Sequence, residues 1–80
     1  SPNPVRDLLH VKLWLPEDGL VEARVYDQHG KTVMLAPFNG NLVKGYHLEH
    51  IQTNLLPSGD YILQIVSQNG VINKVFTVMK

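Results

Sequence analysis

Cysteine is absent from this 80-residue chain, which removes both a disulfide scaffold and a thiolate metal site and leaves the fold to packing alone. An excess of charge is absent too: seven basic residues face seven acidic ones, and like charges never run beyond two. A nucleic-acid surface needs clustered Lys and Arg to displace counterions from phosphates, so that partner class is disfavoured. No apolar run exceeds five residues, far short of the about 20 that span a bilayer. No segment has the basic start, apolar middle and small-residue end of a signal peptide. Helical periodicity is also missing: wherever apolar residues recur at helical spacing, a Gly or Pro interrupts them or a period of two fits better. Only six aromatic residues are available, so the core must come from Leu, Val and Ile, which favour strands when they alternate.

What is present is punctuation and alternation. Glycines fall at positions 19, 30, 40, 45, 59 and 70, a spacing of turn-permitting residues that predicts short strands in a sandwich or barrel. The first strand is expected over Leu8 to Leu15, with Leu9, Val11, Leu13 and Leu15 on one wholly apolar face. Pro16-Glu17-Asp18-Gly19 supplies a turn, with Pro fixing φ at one corner and Gly accepting positive φ at the end. A second strand, Leu20 to Tyr26, turns Val21, Ala23 and Val25 inward, and Asp27-Gln28-His29-Gly30 closes a hairpin onto a third strand ending at Pro37. Phe38-Asn39-Gly40-Asn41 is predicted as loop and Tyr46 to Ile51 as a fourth strand. Asp60 to Ser67 places Tyr61, Leu63 and Ile65 on one face. Asn69-Gly70 predicts a type I′ hairpin into a last strand, Val71 to Met79, with Ile72, Phe76 and Val78 inward and the Lys74 stem along the core edge. A seventh strand would come from Leu42-Val43 or Val5-Arg6. The fold class is therefore all-β, in one domain over residues 1–80. That length is near the lower limit for an unaided core. Pro2-Asn3-Pro4 holds the lead-in extended. Residues 1–4 are expected as a linker junction and 5–80 as the sandwich, and the start at Ser1 suggests a piece of a longer polypeptide.

Chemistry is harder to find. His47-Leu48-Glu49-His50 suggests a metal site, but residues three apart on a strand point to opposite faces, so no metal is expected. Ser58 lacks the flanking glycines of a nucleophile elbow. Asp7, Asp18, Asp27 and Asp60 lie beside turns, where Asp bonds local backbone N–H groups rather than tuning itself for acid or base work. Gly59 has too few glycine neighbours for a phosphate cradle. No catalytic residue and no cofactor is predicted. Trp14 and Tyr26 offer an aromatic platform for carbohydrate or peptide, set against their more ordinary reading as partial core. Tyr61 is expected to pack its ring while its hydroxyl finds a backbone acceptor at the preceding turn.

Four segments in order carry a resemblance: Pro2-Asn3-Pro4-Val5-Arg6-Asp7-Leu8-Leu9, Val25-Tyr26-Asp27-Gln28-His29-Gly30-Lys31, Leu56-Pro57-Ser58-Gly59-Asp60-Tyr61-Ile62-Leu63, and the terminal strand with Lys74. Together they resemble the type A C-terminal sorting domain of the type IX secretion system of Bacteroidetes, across nearly the whole chain. The resemblance implies an immunoglobulin-like antiparallel β-sandwich of about seven short strands. It further implies a non-catalytic sorting signal that directs an upstream, covalently attached cargo across the outer membrane. The implied route runs through the periplasm to the cell surface, the outer membrane or the medium. The implied partners are the translocon, outer-membrane shuttle proteins and a sortase-like cysteine peptidase. The implied recognition residues are Gly59, Tyr61, Gly70, Lys74, Phe76, Val78 and Lys80, with Pro2, Asn3 and Pro4 as the domain-start motif. A terminal edge strand would offer its backbone to a receptor, and also to a second copy of the chain. The rival readings are an accessory binding module for carbohydrate or protein on a surface enzyme, and a retained envelope signalling or scaffold domain.

Overall fold

The computed structural model describes residues 4–80. It contains seven strands: β1 (Leu8–Leu15), β2 (Gly19–Asp27), β3 (Thr32–Leu35), β4 (Gly40–Leu42), β5 (Gly45–Gln52), β6 (Gly59–Ser67) and β7 (Gly70–Val78). β1 and β5 pair antiparallel as one sheet, and the other five strands form the second in the order β3-β2-β6-β7. β4 also pairs with β2, and because β6 occupies the opposite edge of β2, β3 and β4 share one edge end to end. The expected all-β sandwich is what forms. Its seventh strand is Gly40–Leu42, which takes in half of the Leu42-Val43 option, while Val5 makes one isolated parallel bridge to Val78.

Alternation in the sequence builds the core directly. Leu9, Val11, Leu13 and Leu15 of β1 meet Val21, Ala23 and Val25 of β2 and Tyr61, Leu63 and Ile65 of β6, with Ile51, Phe76 and Val78 closing the cluster. Each fully buried aliphatic or aromatic side chain contributes about 1.5–3 kcal/mol, and without disulfides this burial is the main stabilising term. Tyr61 behaves as predicted: its ring is buried and stacks on Phe76 at 5.7 Å, and its hydroxyl donates to the Pro57 carbonyl at 2.6 Å.

Several local expectations need correction. No non-glycine residue among those described has positive φ, so the β6–β7 hairpin is not type I′. Ser67 pairs with Gly70, which makes Gln68 and Asn69 the central residues and moves Gly70 to the start of β7. Gly19 does not need positive φ either. What it provides is room, because a Cβ there would meet the Gln68 amide at 3.2 Å. That close approach follows from the Gln68 side chain donating to the Asp18 carbonyl across the two turns. Asp18 bonds at long range rather than locally, accepting from the Lys44 N–H. Trp14 and Tyr26 lie on the outer faces of different sheets, so they form no common platform.

The segment predicted as a loop, Phe38 to Asn41, holds the most instructive difference. Phe38 and Ala36 are buried, so the chain leaves the sheet edge after β3 to seat Phe38 in the core and rejoins it as β4. Asn39 fills the interruption. The Ala23 N–H donates to Asn39 Oδ1 at 3.0 Å, and Asn39 Nδ2 donates to the Ala23 and Ala36 carbonyls at 2.9 and 2.6 Å. The side-chain amide thus stands where a backbone peptide would stand in an unbroken strand.

Candidate functional site

β7 closes the second sheet, and its hydrogen-bonding phase is set at one end. The Val5 N–H donates to the Thr77 carbonyl at 2.8 Å and the Met79 N–H donates to the Val5 carbonyl at 2.9 Å. Backbone groups alternate sides along a strand, so Val71, Asn73 and Val75 also point theirs away from β6. Beyond the Val5 bridge, no strand lies against this edge among the described residues. Three of its apolar side chains are open to solvent, with Val71 57%, Ile72 43% and Val75 67% exposed. Ile72 faces inward opposite Ile65 but is left uncovered, because β1 and β5 form too narrow a sheet to reach it. A shallow apolar cleft between the end of β1 and the start of β7, lined by Leu13, Leu15, Ile65, Val71 and Ile72, marks that gap. Lys74 is the one charge on this edge, which is otherwise of the kind that folded proteins usually blunt.

The other end of β7 is clamped. Val78 sits opposite Gly59, and the Lys80 N–H donates to Ser58 Oγ at 3.1 Å. Lys80 Nζ donates to the carbonyls of Asn54 (2.7 Å), Thr53 (3.2 Å) and Arg6 (3.3 Å), with the Asp7 carboxylate 4.0 Å away. An ammonium has three donors and no acceptor, so three carbonyls saturate it. This single side chain ties the domain start to the loop between β5 and β6.

The residues singled out from the sequence therefore separate into two groups. Gly59, Tyr61, Phe76, Val78 and Lys80 converge at the clamped end, where Tyr61, Phe76 and Val78 are buried. Gly70 and Lys74 lie along the open part of β7, where Lys74 is exposed. Pro4 is exposed ahead of Val5, and Pro2 and Asn3 lie outside the described residues. In the folded domain the Val71 to Val75 edge and Lys74 are open to solvent, whereas Phe76 and Val78 are core. Val71, Val75 and Val5 were not among the recognition residues named from the sequence. Val71 and Val75 were legible as apolar residues on the outward face of a strand whose inward face carries Ile72 and Phe76, whereas the Val5 bridge joins residues 73 apart and no local pattern shows it.

The remaining candidates resolve by face. His47 points inward from β5, its Nε2 within 2.6 Å of the Val43 carbonyl and its Nδ1 3.9 Å from Glu49, while His50 lies on the outer face. No group of three or more His, Cys, Asp or Glu converges as metal ligands among the described residues. Ser58 Oγ serves the Lys80 N–H. Asp27 caps its hairpin, accepting from the Lys31 and His29 N–H groups at 3.0 and 2.9 Å. The Lys31 bond foremost, with the His29 bond and the nearby His29 and Lys31 charges, outweighs the opposing desolvation and holds its carboxyl below the ordinary range. Trp14 finds its ring partner across the β1–β5 ladder in Tyr46, at 4.8 Å.

A small sandwich whose five-stranded sheet has one interrupted edge and one continuous open edge, beside the unpaired sides of β1 and β5, can take up a strand from a partner. In the comparison with known families, residues 2–79 match the secretion system C-terminal sorting domain, and the chain belongs to that family, the sorting domains of type IX secretion. No curated protein and no solved structure matches it. Membership makes the chain a sorting signal that works with the secretion machinery on an attached cargo, bound for the cell surface, the outer membrane or the medium.

Proposed function

We propose that this domain is a non-catalytic address tag read through the outer edge of β7. The translocon, or an outer-membrane shuttle protein that delivers to it, lays an extended segment against Val71, Asn73 and Val75 in the periplasm. Backbone hydrogen bonds supply the affinity, and the apolar side chains of Val71, Ile72 and Val75 supply the buried area. Cargo attached ahead of Val5 is carried with the domain, and a sortase-like cysteine peptidase then acts upstream of the domain. The observation that carries this reading is the bare apolar edge of β7. The clamped end keeps that edge in one register, since Val5 and Lys80 fix where β7 stops.

The test is a fusion of residues 1–80 behind a periplasmic reporter in a strain that carries the type IX machinery. Surface delivery is expected, and retention of a folded fusion in the periplasm would count against the reading. The same edge offered to a second copy predicts weak self-association, seen as a mass that rises with concentration in sedimentation and falls back in Val75→Lys. A strictly monomeric parent chain would remove that part.

A further inference from the structure

We propose that His10 and His50, on the outer face of the β1–β5 sheet, form a two-imidazole chelate for a late first-row divalent transition ion such as Zn2+ or Cu2+. The two residues lie directly opposite each other in the antiparallel ladder. The phase of that ladder decides how close their side chains come. The Thr53 N–H donates to the Asp7 carbonyl at 2.9 Å, and extending the register by one rung makes Asp7 and Thr53 a directly hydrogen-bonded pair. Alternation then puts His10 and His50, three rungs on, at a non-hydrogen-bonded rung, where Cα atoms approach to about 4.5 Å and side chains are nearest. Their rings meet edge to face with centroids 4.8 Å apart. Both side chains are exposed, and neither has a hydrogen-bond partner among the described residues, so all four ring nitrogens are open to ligation.

Imidazole suits Zn2+, Ni2+ and Cu2+, with Cu2+ held most tightly at a given site. Two ligands on a rigid ladder bind better than either alone, because once one nitrogen is coordinated the other is already at high effective concentration. Open space flanks both rings: one hollow is lined by His10, Lys12, Leu48 and His50, and a second by Leu8, Leu35, His50 and Gln52. No third His, Cys, Asp or Glu joins the pair among the described residues, so solvent completes the coordination shell. Lys12, the next residue of β1 on this face, places a cation nearby and keeps the affinity moderate. The site is thus a surface chelate and not a structural zinc centre. It is also distinct from the His47 to His50 motif, whose two histidines are on opposite faces.

The test is a titration of the 80-residue chain with Zn2+, followed by the imidazole signals in NMR and by calorimetry, with His10→Asn, His50→Asn and His47→Asn alongside. The expected result is one ion per chain, with the His10 and His50 signals moving together. His10→Asn and His50→Asn should each weaken binding at least tenfold, and His47→Asn should leave it unchanged. Saturating Zn2+ should also raise the thermal midpoint of the parent chain and of His47→Asn, but not of the other two variants. The proposal is overturned if His47 or His29 responds first, or if His10→Asn and His50→Asn each weaken binding no more than twofold, as independent imidazoles would.

Discussion

The two edges of the five-stranded sheet were built to opposite ends. At the β3–β4 edge the strand is broken, a buried Phe38 draws the chain off the sheet, and the Asn39 amide occupies the vacated rung. A register shift at Val25 and Tyr26 twists the same edge, and Pro37 follows β3. At the β7 edge none of these devices is present. Nine residues run without a break, and only Lys74 carries charge. The proposed function gives the bare edge of this sheet a use, recognition by the export machinery.

The comparison can be tested by loosening one edge at a time. Phe38→Ala should have the largest effect, about 3–5 kcal/mol from loss of a buried aromatic, measured by urea unfolding, because it removes the anchor of the broken edge. Asn39→Ala should cost about 1–2 kcal/mol by leaving the Ala23 N–H unpaired. Faster hydrogen exchange of that amide, without change at Val75, would localise the loss to the β3–β4 edge. Lys80→Ala should cost about 1 kcal/mol, a modest value because the ammonium is partly solvated. The Val5 and Met79 amides should exchange faster while the middle of β7 does not.

The smallest effect is a pH dependence at the hairpin that carries β3. The Asp27 carboxyl is held below its ordinary value in the folded chain, so its contribution is present above the ordinary carboxylate range and is lost as pH falls through the folded value. Acid titration of stability should therefore be flatter in Asp27→Asn, and an unchanged acid limb would contradict the assignment.

The parts of the fold governed by local alternation were legible from the sequence. The inward faces of β1, β2 and β6 follow from a period of two, and the Tyr61 hydroxyl bond follows from a buried phenol beside a turn. What escaped depends on register between distant segments. The Asn39 amide completes a rung with Ala23, 16 residues away, and no motif announces that a side chain will replace a backbone group. The pairing of Trp14 with Tyr46 rather than Tyr26, and of His10 with His50, needs the β1–β5 register. The hairpin at Gln68 and Asn69 was misplaced by one residue because Asn-Gly favours type I′, whereas Gly70 is used to enter β7. Of the candidate site, the terminal strand was legible, but Phe76 and Val78 proved to be core. The exposed part of the strand lies earlier, at Val71 to Val75.

The most direct measurement compares two prolines in the reporter fusion. Val75→Pro removes an outward N–H from the bare edge, and Leu35→Pro does the same at the blunted edge, where the Ala36 to Ala23 bond places Leu35 on an outward-facing rung. Neither N–H serves a ladder bond, so both variants should fold. With folding verified by circular dichroism, Val75→Pro is predicted to accumulate in the periplasm while Leu35→Pro reaches the surface like the parent. Equal export of the two folded variants would contradict the central claim.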